Sequence, residues 1–162
     1  MVHGTPLPAI LAGPPLSDRE AIADACYRAF LSIDQCNEDL LKSAVTDDVY
    51  TDIAEKVCRG YEELRNKVWT NVSNRLDTVH YLTNMRISID TETTARVTFS
   101  AMHVHCVLGK GYEQEFPKFT TGALYNCEAV KGEEGWKLRR MVSSHVWATG
   151  DRSIMKPPQE GV

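Results

Sequence analysis

The sequence predicts a single α+β domain in which helices pack on one face of an antiparallel sheet. Two features of the hydrophobic pattern support this prediction. Apolar residues recur at helical spacing in the part of the chain that ends near residue 74. Beyond residue 76, four stretches of strand-like composition follow one another, separated by short polar turns. A length of 162 residues suits one domain, which we place at residues 17–151.

The overall composition argues against nucleic acids and membranes as partners. Hydrophobic residues make up 43% of the chain and charged residues 25%, which is ordinary for a globular protein. The net charge is −4 and no basic stripe offsets it, so nucleic-acid binding is disfavoured. No apolar run approaches the roughly 20 residues that a membrane-spanning helix needs.

The cysteines and the two chain ends indicate the cellular context. Five cysteines without regular spacing match neither a disulfide framework nor a zinc site, so we expect reduced thiols and a cytoplasmic protein. The first 18 residues contain four prolines and no basic segment. This composition predicts a flexible arm over residues 1–16 rather than a signal peptide. Residues 152–162 are expected to form a flexible C-terminal tail.

The first helix is predicted to run from Ser17 to about Ile33. Ser17 and Glu20 have the spacing of a capping box, and an apolar stripe follows at helical spacing. The stripe consists of Ile22, Cys26, Ala29, Phe30 and Ile33. Asp34 comes next, at the C-terminal end of the helix, where the helix dipole disfavours an anion. A carboxylate at this end of a helix is expected either to be exposed to solvent or to have a functional role.

Two more helices and a short strand are predicted before the long strands begin. Asn37 is expected to cap a short second helix, and residues 61–74 have the pattern of a third. Between them, residues 49–53 are predicted to form a short strand that is followed by a loop to residue 60. Tyr50 and Asp52 share one face of this strand, so they either border a pocket or lie on the surface.

The segment from Asp77 to Asp90 is predicted to be the central strand. Because side chains alternate along a strand, His80 and Asn84 fall on one face, with Leu82 between them. The other face is apolar and is expected to pack on the core; it carries Tyr81, Thr83, Met85, Ile87 and Ile89. The polar pair on the first face either meets solvent or lines a cavity.

Three more strands are predicted, over residues 95–108, 119–130 and 136–147. The short polar segments between consecutive strands favour hairpin connections. On the first of the three, His103 and His105 share a face with Phe99, so at least one of the two histidines is expected to point inward. Tyr125 and His145, on the other two strands, are further candidates for the wall of a pocket.

These motifs, taken in order, resemble the SnoaL-like group of the nuclear transport factor 2-like superfamily. The resemblance spans about residues 17–151 and is carried by Ile33-Asp34, residues 39–41, Asp47-Asp48-Val49, Gly60, Thr78-Val79-His80, Asn84, Ala95 and Gly135-Trp136. It implies a cone-shaped α+β fold, in which N-terminal helices pack on a curved antiparallel sheet around an open-ended pocket. It also implies a homo-oligomer, either a dimer or a trimer.

Within this group, the scytalone dehydratases are similar at the positions that carry their chemistry. The similarity implies that Asp34, His80 and His105 are catalytic. The residues expected to bind the substrate are Tyr50, Asp52, Asn84, His103 and Tyr125. The tyrosine that precedes the catalytic aspartate in that family is replaced here by Ile33, and its Ser and Asn pair has no counterpart at residues 122–125. A substrate other than scytalone is therefore expected.

The residue types favour acid/base chemistry without a cofactor. A histidine pair can take and return a proton near neutral pH, and a neighbouring carboxylate orients an imidazole or activates water. The sequence contains no phosphate-binding loop, nucleophile elbow or dinucleotide motif. A metal site is not expected, because no carboxylate or thiolate stands at a suitable spacing beside His103 and His105.

We therefore predict a dehydratase, isomerase or cyclase that acts on an apolar, oxygenated small molecule. A polyketide or terpenoid intermediate of secondary metabolism would suit such a pocket. Two alternatives remain open, because a fold does not determine a function. One is a non-catalytic binding or assembly module, in which the pocket would be shallow or plugged and His80 would not face Asp34. The other is the small subunit of a ring-hydroxylating oxygenase.

Overall fold

Helix α1 spans Asp18–Asp34 and begins with the capping box that the sequence predicts. In this computed structural model, which describes residues 6–156, the Ser17 hydroxyl accepts a hydrogen bond from the backbone N–H of Glu20. The Glu20 carboxylate in turn accepts one from the backbone N–H of Ser17. The stripe that contains Ile22 and Phe30 is buried against the sheet, so α1 forms the main helical layer of the domain.

Two shorter helical segments complete this layer. Helix α2, Glu38–Ala44, is capped by the Asn37 side chain as predicted. The predicted third helix is present, but it consists of two α-helical turns, α3 (Tyr61–Leu64) and α4 (Thr70–Ser73), joined by a π-helical turn over Arg65–Trp69. A π-helical turn inserts an extra residue into the helix. Here it ends at Trp69, which is buried beneath the sheet.

Six strands form one open sheet in the order β2-β1-β6-β5-β4-β3. Their bounds are β1 Val45–Ile53, β2 Lys56–Arg59, β3 Leu76–Ile89, β4 Thr94–Val107, β5 Lys118–Gly132 and β6 Gly135–Gly150. The predicted α+β fold with helices on one face of the sheet is confirmed. The pairing differs in one respect: β1 runs parallel to β6, so the sheet is mixed rather than fully antiparallel.

The region of β1 and β2 contains more strand than the sequence indicates. The predicted strand begins only at residue 49, after the polar residues 46–48, and residues 56–59 are predicted to lie in a loop. Instead, β1 begins at Val45, and the polar residues occupy an irregular stretch of its pairing with β6. Buried valines at both ends, Val45 and Val49, hold this stretch against the sheet. Strand β2 then pairs with β1 in an antiparallel hairpin.

A bulge in β3 changes which face each side chain occupies. The register with β4 shifts between Thr83 and Arg86, and Asn84 has a φ of 55°. Before the bulge, the Thr78, His80 and Leu82 side chains face the helices; after it, those of Met85 and Ile87 do. The predicted single apolar face is therefore wrong, because unbroken alternation was assumed. Asn84 is exposed at the bulge instead of sharing a face with His80.

The inner face of β4 divides the interior into two parts. Ala95, Val97 and Phe99 are buried in the apolar core toward one end of the strand. His103 and His105 follow on the same face toward the other end and are also buried. One end of the domain is thus a packed core, whereas the other end has a polar interior.

The chain leaves the sheet at Gly150, which has a φ of 90°. The backbone N–H of Asp151 donates to the Lys118 carbonyl of β5 at 2.9 Å, and a short 3₁₀ helix, Arg152–Met155, follows. The first part of the predicted tail is thus helical. Residues 6–16 of the predicted arm contain no helix or strand. Residues 1–5 and 157–162 lie outside the described part of the chain, and the domain limits remain a prediction.

Two further observations concern the described residues. None of their helices is both long enough and apolar enough to cross a membrane. All five cysteines are unpaired; Cys26, Cys58 and Cys127 are buried.

Replacing Gly150 with alanine is expected to destabilise the protein by about 2 kcal/mol or more. A Cβ at this position would lie 2.0 Å from the Lys118 carbonyl oxygen, and the φ of 90° disfavours any side chain. Gly132→Ala is the matched control, because a Cβ there meets no atom within 4 Å. The free energies of unfolding in denaturant provide the measurement. Equal values for the two variants would contradict this account of the strand end.

Candidate active site

A cavity of about 610 Å³ lies between the helices and the polar end of the inner sheet face. Most of its wall is apolar. The helices contribute Ala29, Phe30, Ile33, Leu41, Leu64, Val68, Trp69 and Val72. The sheet contributes Val45, Ile53, His80, His103, His105, Phe119, Thr121, Tyr125, Met141, Ser143, His145 and Ala148. An exposed rim is formed by Ala54, Glu55, Lys56, Arg152 and Met155.

Asp34 and His80 form a buried pair beside this cavity. His80 Nδ1 lies 2.5 Å from Asp34 Oδ1, and the two side chains are only 5% and 11% exposed. The same carboxylate accepts hydrogen bonds from the Thr78 hydroxyl at 2.6 Å and from the backbone N–H of His80 at 2.9 Å. Three donors from β3 thus converge on the last residue of α1 and offset the unfavourable helix dipole at that position.

This arrangement determines the tautomer of His80. A carboxylate accepts hydrogen bonds but has no proton to donate, so Nδ1 of His80 carries the hydrogen that Asp34 accepts. The other ring nitrogen, Nε2, has no hydrogen-bond partner among residues 6–156, and the ring lines the cavity. The Nε2 of His80 therefore faces the cavity, with a carboxylate behind the ring, and in the neutral ring this nitrogen carries no proton.

His105 has the same tautomer for a different reason. Its Nδ1 donates to the backbone carbonyl of Phe119 at 3.2 Å, which leaves Nε2 unprotonated toward the cavity. Burial, followed by the proximity of His80, lowers the pKa of His105 from 6.5 to about 4. The ring is thus neutral at pH 7, and its free nitrogen can only accept a hydrogen bond. The His80 and His105 ring centroids are 5.9 Å apart.

His103 has both ring nitrogens occupied. Nδ1 lies 2.9 Å from the Thr121 hydroxyl, and Nε2 lies 3.1 Å from the Tyr125 hydroxyl. Burial, followed by the proximity of His80 and His105, lowers the pKa of His103 to about 3. Burial also raises the pKa of Tyr125, so both groups are neutral at physiological pH. They belong to the cavity wall, but their polar atoms are bonded to each other.

Three of the residues expected to bind the substrate do not line the cavity. Tyr50 lies on the outer side of β1, where the guanidinium groups of Arg59 and Arg140 stack on its ring at 5.3 and 4.7 Å. Asp52 shares that outer face, because the alternate residues of β1 point inward. Asn84 is exposed at the β3 bulge. The expectation that these three border the pocket is therefore corrected.

The cavity also contains residues that sequence reasoning missed. Thr121 lies directly opposite His103 in the pairing of β4 with β5, a relation that becomes visible only when the register is known. His145, already a candidate, lies near the rim, with its ring centroid 5.9 Å from that of His103. Arg152 and Met155 lie in the segment that was expected to be a flexible tail. No signal in the sequence pointed to those two residues.

The available nitrogen atoms limit what this cluster of histidines can bind. Within residues 6–156, no three His, Cys, Asp or Glu side chains are placed to hold a metal ion together. Of the ring nitrogens of His80, His103 and His105, only the Nε2 atoms of His80 and His105 lack a hydrogen-bond partner in the described part of the chain. The arrangement therefore provides one hydrogen-bonded acid/base pair and one additional acceptor.

Comparison with known sequences shows relatives along nearly the whole domain. A sequence profile of the SnoaL-like domain matches residues 14–142. Terrestric acid biosynthesis cluster protein E of Penicillium crustosum is 37% identical over 143 residues, which cover 87% of this chain and 91% of that protein.

Solved structures with the same fold are more distant in sequence. A Novosphingobium aromaticivorans protein, provisionally named an aromatic ring hydroxylase, matches with a TM-score of 0.74 at 22% identity, over 89% of this chain and 100% of its own. A second protein of that organism, provisionally named a scytalone dehydratase, gives 0.70 at 19% identity, over 82% and 86%. A nuclear transport factor 2-like protein of Salmonella enterica gives 0.68 at 15%, over 90% and 97%. These likenesses establish the fold.

The free energy of unfolding is expected to fall as the pH is lowered from 7.5 to 5. The unfolded chain takes up protons at its histidines near pH 6.5, whereas the folded protein keeps His103 and His105 neutral to about pH 3 and 4. The contribution of these two histidines to the free energy of unfolding is therefore fully present above pH 6.5. Below this pH it declines by about 1 kcal/mol per pH unit for each buried ring. Denaturant titrations over this range provide the measurement.

Two variants locate this effect within the histidine cluster. His105→Gln should remove a large part of the pH dependence, because it replaces a buried titrating ring with a neutral amide. His145→Gln is the matched control and should leave most of it, because His145 is exposed at the rim. An unfolding free energy that is the same at pH 5 and pH 7.5 in the unmodified protein would refute the assignment.

Proposed function

Since the chain belongs to the SnoaL-like domain family, with a nuclear transport factor 2-like fold, we propose that it is a cofactor-free acid/base enzyme. The family resemblance found in the sequence is confirmed, whereas the reaction is our proposal. The observation that supports it most directly is the Asp34–His80 pair, in which the second ring nitrogen of His80 faces a mostly apolar cavity. The reaction class would be that of a dehydratase, isomerase or cyclase.

In this proposal His80 is the general base. Its Nε2 removes a proton from a carbon next to a carbonyl group, and the Asp34 carboxylate stabilises the imidazolium that forms. For a dehydration, the electron pair of that C–H bond forms a carbon–carbon double bond, and the bond to a β-hydroxyl breaks. His80 returns the proton to the departing hydroxyl, which leaves as water. Delivery of the same proton to another carbon would give an isomerase instead.

In this scheme His105 does not act as a general acid. Because its Nδ1–H is bonded to the Phe119 carbonyl, its Nε2 has no proton to donate. We infer that it accepts a hydrogen bond from a substrate hydroxyl and so holds the reacting carbon near His80. His103 and Tyr125 are bonded to each other, and we assign them to the shape of the wall rather than to proton transfer.

The cavity indicates the kind of substrate. Its volume of about 610 Å³ lies within the usual range for small-molecule sites, and its helical wall is entirely apolar. Exclusion of bulk water would strengthen the hydrogen bonds of the His80 pair. The relative in a terrestric acid biosynthesis cluster supports an intermediate of secondary metabolism, such as a polyketide or terpenoid. Location in the cytoplasm, predicted from the cysteines, is part of this proposal.

The alternative of a non-catalytic module predicted a plugged or shallow pocket and a His80 turned away from Asp34. The described residues show the opposite on both points. The small subunit of a ring-hydroxylating oxygenase shares the fold alone, so no specific feature of this site favours it. We therefore retain the enzyme as the proposed function and treat the two alternatives as outcomes of the experiments.

We also propose that the protein forms the homo-oligomer that its resemblance implies. The sheet face turned away from the helices exposes large apolar side chains on four neighbouring strands: Tyr81, Met102, Leu124 and Trp147. The Trp147 ring lies so close to Gly122 that a Cβ there would be 2.2 Å from the indole nitrogen. An exposed apolar surface of this kind is typical of a contact between protein chains.

The variant His80→Ala is expected to abolish turnover, because it removes the proposed base. A panel of β-hydroxy aryl ketones serves as the assay, since dehydration gives an enone that is followed by ultraviolet absorbance. Asp34→Asn should lower the rate about a hundredfold or more, the usual effect of losing one acid/base group. Asp39→Asn, an exposed carboxylate on α2, is the matched control and should keep full activity. A folded His80→Ala protein with unchanged turnover would exclude this mechanism.

Leu124→Asp is expected to reduce the molecular mass in solution to that of a smaller species, because it places a charge in the apolar outer face. Size-exclusion chromatography with light scattering measures the mass. Tyr112→Asp, which changes an exposed aromatic ring in the β4–β5 loop, should leave the mass unchanged. A protein that is monomeric without any substitution would show that this face is not a contact between copies.

A further inference from the structure

The last described segment, Asp151–Lys156, crosses the rim of the cavity and is held at both ends. We call it the C-terminal strap. At its start, the backbone N–H of Asp151 donates to the Lys118 carbonyl at 2.9 Å. At its end, the Arg75 guanidinium donates to the carbonyls of Ile154 and Lys156, at 3.2 and 2.6 Å. These hydrogen bonds fix the strap in place as part of the cavity wall.

The strap places a cation at the cavity. Arg152 lies in its short 3₁₀ helix and lines the rim together with Met155. Among residues 6–156, the Arg152 guanidinium has no carboxylate within 4 Å and no hydrogen-bond acceptor. By contrast, Arg65 and Arg96 each form two hydrogen bonds with a carboxylate.

None of the charged residues at the rim forms an ion pair with Arg152 in the described chain. Lys56 adds a second cation to the rim, and Glu55 is the one carboxylate among the lining residues. Glu55 forms no ion pair with either of them in the described chain. His145 lies close enough that the Arg152 charge contributes, after burial, to lowering the His145 pKa. Arg152 thus lies at the rim of a mostly apolar cavity, without a protein partner for its charge among residues 6–156.

We propose that Arg152 binds a carboxylate of the substrate, so that the substrate is an oxygenated organic acid. This inference rests on the proposed function, because it places the carboxylate at the rim while the reacting carbon lies at His80. A guanidinium is suited to this role, since it can donate two parallel hydrogen bonds to a carboxylate. The apolar wall between the two ends would hold the body of the molecule.

The proposal distinguishes the two ends of the cavity by charge. The inner end contains His103 and His105, which burial keeps neutral, and the one carboxylate there, Asp34, is enclosed by three donors. Among the described residues, no lysine or arginine lines that end of the cavity. At the rim a negative substrate group meets two cations, Arg152 and Lys56, and one carboxylate, Glu55. An acid would therefore enter with its apolar part first and its carboxylate last.

A pair of probes of equal shape tests this inference without requiring turnover. The probes are 2-naphthoate and 2-naphthamide, which differ in charge but hardly in size. The unmodified protein should bind the acid about tenfold more tightly than the amide in low salt, the effect of one charge-assisted contact. The preference should shrink as salt is added, because the contact is at an exposed rim. Isothermal titration calorimetry measures both affinities.

Variants of the strap test whether Arg152 is responsible for the tighter binding of the acid. Arg152→Gln should remove most of it and leave the affinity for the amide unchanged, whereas Arg152→Lys should keep a large part of it. Arg139→Gln is the matched control, because Arg139 pairs with Asp48 outside the cavity. His80→Ala should retain the preference, so a failure of the catalytic proposal is distinguishable from a failure of this one.

Two results would overturn the inference. One is that the unmodified protein does not bind the acid more tightly than the amide. The other is that Arg152→Gln retains the full preference, which would assign the charge recognition to Lys56 or to another group.

Discussion

The contact between the end of α1 and the start of β3 is the interaction on which both the fold and the site depend. Asp34 accepts three hydrogen bonds, all of them from Thr78 and His80. A hydrogen bond to a charged group contributes about 1.5–3 kcal/mol to the stability of a folded protein. A buried carboxylate that has lost its partners is strongly destabilising. The contact therefore fixes the angle of the helix on the sheet, and the same atoms orient the imidazole that faces the cavity.

The surroundings of this pair decide where a proton can reside. Three imidazole rings lie within 6.5 Å of one another, measured between centroids, in an interior that disfavours positive charge. His103 and His105 are kept neutral by burial and by their neighbours, and neither contacts a carboxylate. The one ring with an anion behind it is His80. The three histidines therefore differ in the roles that we propose for them: His80 is the base, His105 accepts a hydrogen bond, and His103 is part of the cavity wall.

Local irregularities in the regular elements change which side chains face the interior. The bulge at Asn84 turns His80 and Met85 toward the same side of β3, although they are an odd number of residues apart. A register shift near Val146 does the same for His145 and Ala148 on β6. The π-helical turn brings Trp69 into the opposite wall.

The sequence by itself determined those features that depend on neighbouring residues. The capping box of α1, the four long strands and the order of motifs that marks the family are all local patterns, and they predicted the fold. The same order placed Asp34 at a helix end and His80 at a strand start, where the structure brings the two together. His105 was likewise placed on a strand that borders the cavity.

The tertiary structure alone decided which side of a strand faces the cavity and which atoms remain free. Alternation shows that Tyr50 and Asp52 share a face, but it does not show which face, and packing turned that face outward. The bulge at Asn84 reversed the alternation, and the parallel pairing of β1 with β6 joined segments about 90 residues apart. His103 owes its role to Thr121 and Tyr125 on the neighbouring strand, and the segment that carries Arg152 is held by Lys118 and Arg75, which are distant in the chain. Such contacts arise from packing and register, which no local pattern encodes.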